Sequence, residues 1–230
     1  MPTLLITGAN RGIGLEFVRQ YAAEEWRVLA CCRAPEAAGK LHTLAASSHG
    51  RIFVHALDVA DFSAIDALAW HLRETPIDLL INNAGIYPER GSFGQIDYGA
   101  WDMAFRINSM APLKMTEAFV GHLERGKGKT IVAISSKMGS IADNTSGGSY
   151  PYRTSKAAMD MGVKSLALDL APRGIRAVVL HPGWVLTEMG GPNALITVEQ
   201  SVTGMRKTLT QLTKTDSGRF LAYDGKEIPW

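Results

Sequence analysis

The sequence is poor in cysteine, and the two cysteines that it has are neighbours. Cys31 and Cys32 stand side by side among 230 residues. A disulfide between adjacent cysteines is geometrically disfavoured, so no disulfide framework is expected. Proteins without disulfides suit a reducing compartment, and the sequence therefore predicts a cytoplasmic protein. The simplest interpretation of the pair is two small residues of a buried strand.

An excess of one charge and long hydrophobic runs are also lacking. The 24 Lys and Arg residues nearly balance the 22 Asp and Glu residues, which leaves a formal net charge of +2. So small a charge argues against a nucleic-acid or membrane partner. No apolar run approaches the roughly 18 residues that a membrane span needs, and the start MPTLLITGANRG has no signal-peptide pattern. The histidines are scattered without metal-ligand spacing, so no metal site is expected.

Short apolar runs alternate with longer amphipathic stretches along the whole chain. This alternation predicts βαβ units and a parallel sheet, and strands that are apolar throughout predict a sheet covered on both faces. Hydrophobic residues make up 46% of the chain, an ordinary value for a globular domain. We expect strands at 3–7, 27–32, 52–56, 77–82, 130–135, 176–180 and 220–223, and helices at 12–24, 41–46, 63–73, 98–124, 152–171 and 198–212.

A glycine-rich turn joins the first predicted strand to the first predicted helix. It reads TGANRGIG over residues 7–14. Glycines permit a tight turn and a close backbone approach to a pyrophosphate, and a helix N-terminus offers free N–H groups and a partial positive charge. An ordinary turn is the alternative. The strand–turn–helix context favours a dinucleotide site.

The glycine spacing, Gly-x3-Gly-x-Gly, departs from the G-x-G-x-x-G fingerprint. It resembles the motif of the short-chain dehydrogenase/reductase family in its compact form. The resemblance implies an α/β, single-domain Rossmann fold over residues 1–230: a doubly wound, parallel, seven-stranded sheet with helices on both faces. It implies that the cofactor is bound at this turn by Gly8, Asn10, Arg11, Gly12, Ile13 and Gly14.

Three further motifs of the family follow in the same order. In the family, an Asp after the third strand contacts the adenine ring, the NNAG motif (82–85 here) lines the adenosine side, and a Pro-Gly turn after the sixth strand lies beneath the nicotinamide. Taken alone, a helix N-cap, a turn and a structural Pro-Gly turn are the alternatives. The resemblance implies further cofactor contacts from Asp58, Val59, Asn83, Ala84, Gly85, Pro182, Gly183, Val185 and Thr187.

Tyr152 and Lys156 are four residues apart at the start of a predicted helix, which puts them on one face. A free tyrosine has a pKa near ~10, too high for ready proton exchange at neutral pH. A nearby ammonium stabilises the phenolate and lowers that pKa. The spacing is a common chance pattern by itself, but within YRTSKAA it resembles the family's catalytic pair. Tyr150 has no lysine four residues later.

Two other catalytic candidates come from the resemblance. Ser135 and Ser136 are adjacent, and the family pattern selects Ser136 to hydrogen-bond and orient the substrate oxygen. Asn108 lies in the helix predicted from 98, where the family's asparagine holds a water in a proton relay. An exposed, unimportant Asn is the alternative. The segment between Ser136 and Tyr152 is a few residues longer than usual in the family, and its Gly147-Gly148 pair could reshape the pocket wall.

The second predicted strand ends without the acid that would bond an NAD ribose. Arg33 stands there instead and could grip a 2′-phosphate, because a guanidinium forks onto phosphate oxygens. Arg11 in the glycine turn could supply a second positive charge. Two solvated surface arginines are the alternative. The sequence predicts NADP(H) as the cofactor.

The motifs run in order from Thr3 to Thr187, over about four fifths of the chain. The YRTSK run, the Gly-Gly insert and the ending 223–230 resemble the C-factor and sniffer-like carbonyl reductase branch. The resemblance implies reversible hydride transfer between NADP(H) and a small carbonyl or alcohol, with a substrate loop at about 187–203. A dinucleotide-binding signalling protein with little turnover is the alternative, and a homodimer is a further expectation.

Overall fold

A single parallel sheet of seven strands forms the centre of the structure, a computed structural model that describes residues 1–88 and 93–230. The strand order is β3-β2-β1-β4-β5-β6-β7, and every neighbouring pair is parallel. The order reverses between β1 and β4, which opens a crevice at their carboxyl ends. The strands are β1 Thr3–Thr7, β2 Arg27–Cys32, β3 Ile52–Ala56, β4 Leu79–Asn82, β5 Thr130–Ile134, β6 Arg176–His181 and β7 Phe220–Ala222.

Helices cover both faces of this sheet. Successive strand residues point to opposite faces, so Leu4 and Leu5 of β1 enter two different cores. One core packs α3, α5 and α6 on the sheet, and the other packs α1, α2 and α7. The helices are α1 Gly12–Ala23, α2 Gly39–Ala46, α3 Phe62–His71, α4 Tyr98–Ala104, α5 Ala111–Arg125, α6 Tyr150–Asp169 and α7 Val198–Gln211. The predicted doubly wound fold is confirmed.

The boundaries differ from the prediction in three informative places. The helix predicted over 98–124 is interrupted by a π-helical turn, Phe105–Met110, between α4 and α5. β4 begins at Leu79 rather than at 77, because the N–H of Ile77 bonds to His122 of α5. α6 begins two residues earlier than predicted, since Pro151 fits the first turn of a helix.

In the described part of the chain, no helix combines the length and the apolar character that crossing a membrane requires.

Candidate active site

A cleft of about 570 Å³ lies at the carboxyl edge of the sheet, where the strand order reverses. Segments from both halves of the chain line it. Most of the residues predicted for the site are in its wall: Gly8, Asn10, Arg11, Gly12, Ile13, Gly14, Arg33, Asp58, Val59, Asn83, Ala84, Gly85, Tyr152, Lys156, Pro182 and Thr187.

Four predicted residues do not line this cleft: Asn108, Ser136, Gly183 and Val185. Val185 is buried, and its carbonyl accepts a hydrogen bond from the Thr187 hydroxyl (3.3 Å). A Cβ at Gly183, which has a φ of +86°, would come within 2.6 Å of the Ile196 side chain. These two residues therefore support the chain beneath the cleft.

The glycine turn is locked onto the segment that follows β4. The Asn83 side-chain amide donates to the carbonyls of Thr7 (2.9 Å) and Gly8 (3.1 Å), and the Thr7 hydroxyl accepts the N–H groups of Asn83 and Ala84. Gly8 has a φ of +66°, and a Cβ there would lie 3.0 Å from the Ala84 Cα. The turn can be this tight only because residue 8 is glycine.

The N-terminus of α1 opens into the cleft without a capping side chain. Arg11 is the N-cap residue and makes no side-chain capping bond, and the first turn contains no acidic residue. The first N–H groups of a helix lack partners within the helix, and the helix dipole favours an anion there. The turn and the uncapped helix together fit the pyrophosphate of a dinucleotide.

The two arginines considered for a 2′-phosphate have different surroundings. Arg33 is exposed at the end of β2, lines the cleft and has no acidic partner within 4 Å among residues 1–88 and 93–230. Arg11 forms an ion pair with Glu188, from the loop after β6. Arg33 is thus the freer cation, while Arg11 also connects the glycine turn to the predicted substrate loop.

Helix α6 presents Tyr152 and Lys156 to the same cleft. Their exposed fractions are 8% and 5%. Lys156 Nζ donates to the Ile134 carbonyl at the end of β5 (2.8 Å) and lies 5.8 Å from the centre of the Tyr152 ring. A buried phenol and a buried ammonium thus stand side by side at the edge of the dinucleotide cradle.

The pKa of Tyr152 is raised in the folded protein, whereas the sequence predicted that Lys156 would lower it. Burial is the largest effect and raises the pKa of the Tyr152 phenol to about 12, although an interaction with the Ser136 hydroxyl lowers it. Burial also lowers the pKa of the Lys156 ammonium to about 8, and the negative charge of Asp160 acts in the opposite direction. Among the protein's own groups, burial therefore outweighs the lowering of the Tyr152 pKa that was predicted from Lys156.

The two adjacent serines have different environments. Ser136 is half-buried, accepts the N–H of Met138 (3.2 Å) and lies close enough to Tyr152 to affect its pKa. Ser135 is buried, lines the cleft and has no hydrogen-bond partner for its hydroxyl among the described residues. Ser136 is therefore the serine on the Tyr152 side.

Asn108 is fully buried in the π-helical turn. Its Oδ1 accepts the N–H of Ile86 (2.9 Å), and its Nδ2 donates to the Ile86 carbonyl (2.9 Å) and the Ser155 hydroxyl (3.0 Å). Both side-chain donors are in use, so the amide ties the wall of the cleft to α6. The alternative of an exposed, unimportant asparagine is wrong.

Two residues near the pair escaped the sequence analysis. Tyr87 packs its ring 4.5 Å from that of Tyr152, and its hydroxyl hydrogen-bonds the Ser149 hydroxyl (3.0 Å) just before α6. Asp160 is buried one turn after Lys156. Its spacing from Lys156 was a visible signal, whereas nothing in the sequence placed Tyr87 beside α6.

A family model described as short chain dehydrogenase matches residues 2–195. The chain belongs to the short-chain dehydrogenase family. This short-chain dehydrogenase is an oxidoreductase of the class that acts on CH–OH and C=O groups.

Three individual proteins place this short-chain dehydrogenase more finely. It is 44% identical to the C-signal of Myxococcus xanthus over 164 residues, which cover 71% of this chain and 99% of that protein. The carbonyl reductase Sniffer of D. melanogaster superposes with a TM-score of 0.94 at 34% identity, with both chains fully covered. An NADPH-bound carbonyl reductase from chicken fatty liver gives 0.93 at 36% identity, covering 100% of this chain and 99% of the other. The predicted C-factor and sniffer-like branch is confirmed.

Proposed function

We propose that this short-chain dehydrogenase is an NADP(H)-dependent carbonyl reductase that interconverts a small aldehyde or ketone and its alcohol. The observation that carries the proposal is the placement of Tyr152 and Lys156 in the same cleft as the glycine turn. A proton donor then stands beside the cradle of a hydride-carrying cofactor. The likeness to Sniffer, a carbonyl reductase by name, supports the same reaction.

Arg33 supports NADP(H) over NAD(H). β2 ends in Cys32, and the next residue is Arg33 where a ribose-binding acid would stand. The guanidinium is exposed in the cleft wall and free to pair with a 2′-phosphate. The reductase from chicken fatty liver is described as NADPH-bound, which agrees with this choice.

The remaining cofactor contacts follow the cleft. The glycine turn and the N-terminus of α1 would hold the pyrophosphate, and Lys156 the nicotinamide ribose. The adenosine would lie against Asp58 and Val59. The segment after β6 would hold the carboxamide. The full proposed set is Gly8, Asn10, Arg11, Gly12, Ile13, Gly14, Arg33, Asp58, Val59, Asn83, Ala84, Gly85, Tyr152, Lys156, Pro182, Gly183, Val185 and Thr187.

In the reducing direction the protein's part is proton transfer and positioning. When bound, NADP(H) would supply the hydride for the carbonyl carbon, and its oxidised form would carry a positive charge. The Tyr152 hydroxyl gives its proton to the carbonyl oxygen, which becomes the alcohol oxygen. Ser136 hydrogen-bonds that oxygen and orients it. The Lys156 ammonium stabilises the phenolate left on Tyr152, and Asn108 keeps α6 fixed against the cleft wall.

Apolar side chains stand among the polar ones in the wall of the cleft. Ile86, Leu186 and Met189 line it, and the Tyr87 ring lies beside Tyr152. These side chains suit the carbon skeleton of a small apolar carbonyl compound rather than a charged one. The segment between β6 and α7 supplies Leu186 and Met189, and the predicted substrate loop at about 187–203 runs into α7, which begins at Val198. We expect the part before α7 to close over the substrate and exclude water.

The test is NADPH oxidation with a panel of aldehydes, ketones, diketones and quinones, with NADH in parallel. Tyr152→Phe should lower kcat by about 10²- to 10⁴-fold while leaving NADPH affinity within a few-fold, because the ring stays and only the proton donor is lost. Tyr150→Phe is the matched control and should keep full activity. Substantial turnover by Tyr152→Phe with a good substrate would show that this mechanism is wrong.

A second candidate function rests on the 44% identity to a protein named C-signal. In that case the chain binds the dinucleotide and contacts a partner, with little turnover. The intact set of Ser136, Tyr152 and Lys156 favours the enzyme, because a binding module needs no proton donor there. Tight NADPH binding without turnover across the panel would favour signalling.

Two sequence predictions stay predictions: a cytoplasmic location and a homodimer. Size-exclusion chromatography with light scattering decides the second. A mass of about twice the 24.9 kDa of the chain would support the dimer, and the chain mass itself would exclude it under those conditions.

A further inference from the structure

Asp160 is a buried acid that the proposed mechanism does not use. Its exposed fraction is 3%. It follows Lys156 by one helical turn and Tyr152 by two, so the three side chains lie along one stripe of α6. A carboxylate thus stands directly behind the ammonium that borders the cleft.

The Asp160 carboxylate is enclosed but poorly solvated by the protein. Neither of its oxygens has a hydrogen-bond partner among the described residues, and the nearby Ser135 hydroxyl has none either. Ser135 nevertheless lies close enough to lower the pKa of Asp160, against the larger effect of burial, which raises it. A Cβ at Gly139 would come within 2.8 Å of the Asp160 Oδ2, so the carboxylate is pressed against a residue without a side chain.

A buried carboxylate with no hydrogen bonds is costly unless a cation lies near it. Lys156 is that cation. It is itself buried, and its one hydrogen bond among residues 1–88 and 93–230 is to the neutral Ile134 carbonyl. Each ion therefore relieves the burial of the other, and no ion pair closer than 4 Å is needed for this effect in a poorly solvated site.

Tyr152 on the same stripe is also influenced by Asp160, because the negative charge of Asp160 raises the pKa of the Tyr152 phenol. Burial, Ser135 and Lys156 are what shift the pKa of Asp160. The ionisable side chains on the elements packed against α6 are not among the causes of that shift. They are Tyr98, Asp102, Arg106, Lys114, Glu117, His122, Glu124, Arg125, Lys137, Arg173, Arg176 and His181.

We propose that Asp160 is a positioning residue whose buried carboxylate keeps Lys156 protonated and therefore able to act on Tyr152 and the cofactor ribose. The inference rests on the proposed function for its consequence in catalysis. The coupling between the two buried charges is independent of the proposed function. Burial alone lowers the pKa of Lys156, and Asp160 raises it, so Asp160 extends to higher pH the range in which Lys156 is a cation.

The first experiment follows the titration of Lys156 itself. The protein is labelled with ¹³C at lysine Cε, and the Lys156 resonance is assigned by its loss in Lys156→Met. Asp160→Asn should lower the Lys156 midpoint by about one pH unit or more, because an opposite charge has been removed. Asp169→Asn removes an equal charge at the exposed end of the same helix and should leave the midpoint unchanged. An unchanged midpoint in Asp160→Asn would overturn the proposal.

A reciprocal experiment covers the case in which Asp160→Asn does not fold. Coupling between two sites is mutual, so removing the Lys156 charge must raise the midpoint of Asp160 by a similar amount. The probe is the ¹³Cγ resonance of Asp160 in the wild type and in Lys156→Met. Equal midpoints in the two proteins would contradict the coupling.

Activity then separates this proposal from the proposed function. If the wild type turns over carbonyl compounds, the alkaline limb of its kcat profile should move to lower pH in Asp160→Asn by the shift seen for Lys156. A wild type that never turns over while both titrations shift would refute the proposed function alone. A clear catalytic profile that does not move would refute the role of Asp160 alone.

Discussion

Gly14 stands where the turn after β1 leaves no space for a side chain. A Cβ there would lie 2.1 Å from the Gly8 carbonyl oxygen and 2.7 Å from the Asn83 Nδ2. Both neighbours belong to the hydrogen-bonded network that fixes the turn. Gly14→Ala should therefore lower the free energy of unfolding by about 1–3 kcal/mol, as overpacking does, and weaken NADPH binding at least tenfold. Urea unfolding and fluorescence titration with NADPH measure the two effects.

Gly39→Ala is the matched control, since a Cβ there meets nothing within 4 Å. Gly39 is the first residue of α2, so alanine should leave NADPH affinity unchanged and stability equal or slightly higher. Equal affinity in Gly14→Ala and Gly39→Ala would show that the turn is looser than its geometry implies.

Residue spacing predicted much of the site and missed what burial adds to it. The glycine turn, Tyr152 and Lys156 were visible because each sits at a fixed distance from a strand end or a helix start. The raised pKa of Tyr152 could not be predicted from spacing, because it depends on how much of the folded protein surrounds the phenol. Asp160 was overlooked for the same reason: one acid on a helix is ordinary until its surroundings show that it is buried.

Three side chains tie the π-helical turn between α4 and α5 to its surroundings: Arg106, Asn108 and Ser109. Asn108 makes the most hydrogen bonds of the three. Asn108 bridges the main chain of Ile86 and the Ser155 hydroxyl of α6. Asn108→Ala would leave the half-buried N–H and carbonyl of Ile86 without these partners, and the Ser155 hydroxyl would keep only its bond to the Tyr152 carbonyl. We expect a loss of about 2–3 kcal/mol in the free energy of unfolding and a clear fall in kcat, because α6 then keeps only the Ser109 bond to this turn. Urea unfolding and steady-state kinetics test this.

Asn193→Ala provides the comparison. Asn193 is exposed in the loop after β6 and makes no side-chain hydrogen bond within the described residues. Its replacement should change stability by less than about 0.5 kcal/mol. If Asn108→Ala were as mild as Asn193→Ala, the hydrogen bonds of Asn108 would not be what holds this element.

At the level of elements, all seven strands were predicted, and their ends were off by at most two residues. Continuous apolar runs mark buried parallel strands well. The interruption at Phe105–Met110 was invisible, because a π turn preserves helical composition and is set by tertiary bonds to Asn108. The start of β4 differs from the prediction because Ile77 hydrogen-bonds His122 of α5. The start of α6 differs because Pro151 occupies the first turn of the helix.

Over the whole molecule, the cleft exists because distant segments end at one edge of the sheet. β1 and β4 carry the glycine turn and the NNAG segment, while α6 and the loop after β6 bring Tyr152, Lys156 and Thr187. The parallel order of the strands was enough to predict this meeting. The sequence did not reveal which residues of the meeting point are buried against one another, and that burial governs the response of the protein to pH.

Several buried groups bind protons differently in the folded and unfolded chains. Burial raises the pKa of Asp160 from 3.8 to about 7, so between these values the folded protein holds a proton that the unfolded chain has released. Stability from this group is therefore present at low pH and is lost as the pH rises from about 4 to about 7. Burial lowers the pKa of His181 from 6.5 to about 4, so its contribution rises with pH over nearly the same range and opposes that of Asp160.

The two opposing contributions can be separated by one variant. Asp160→Asn removes the acid and keeps His181, so the variant should gain stability relative to the wild type as the pH rises from 5 to 7, by roughly 1–3 kcal/mol. Urea unfolding at pH 5, 6 and 7 gives the difference at each pH. Asp169→Asn, which removes an exposed acid, should run parallel to the wild type across the series. A stability difference between Asp160→Asn and the wild type that does not change with pH would mean that Asp160 has the same pKa in the folded and unfolded chains, so that burial of its charge carries no cost.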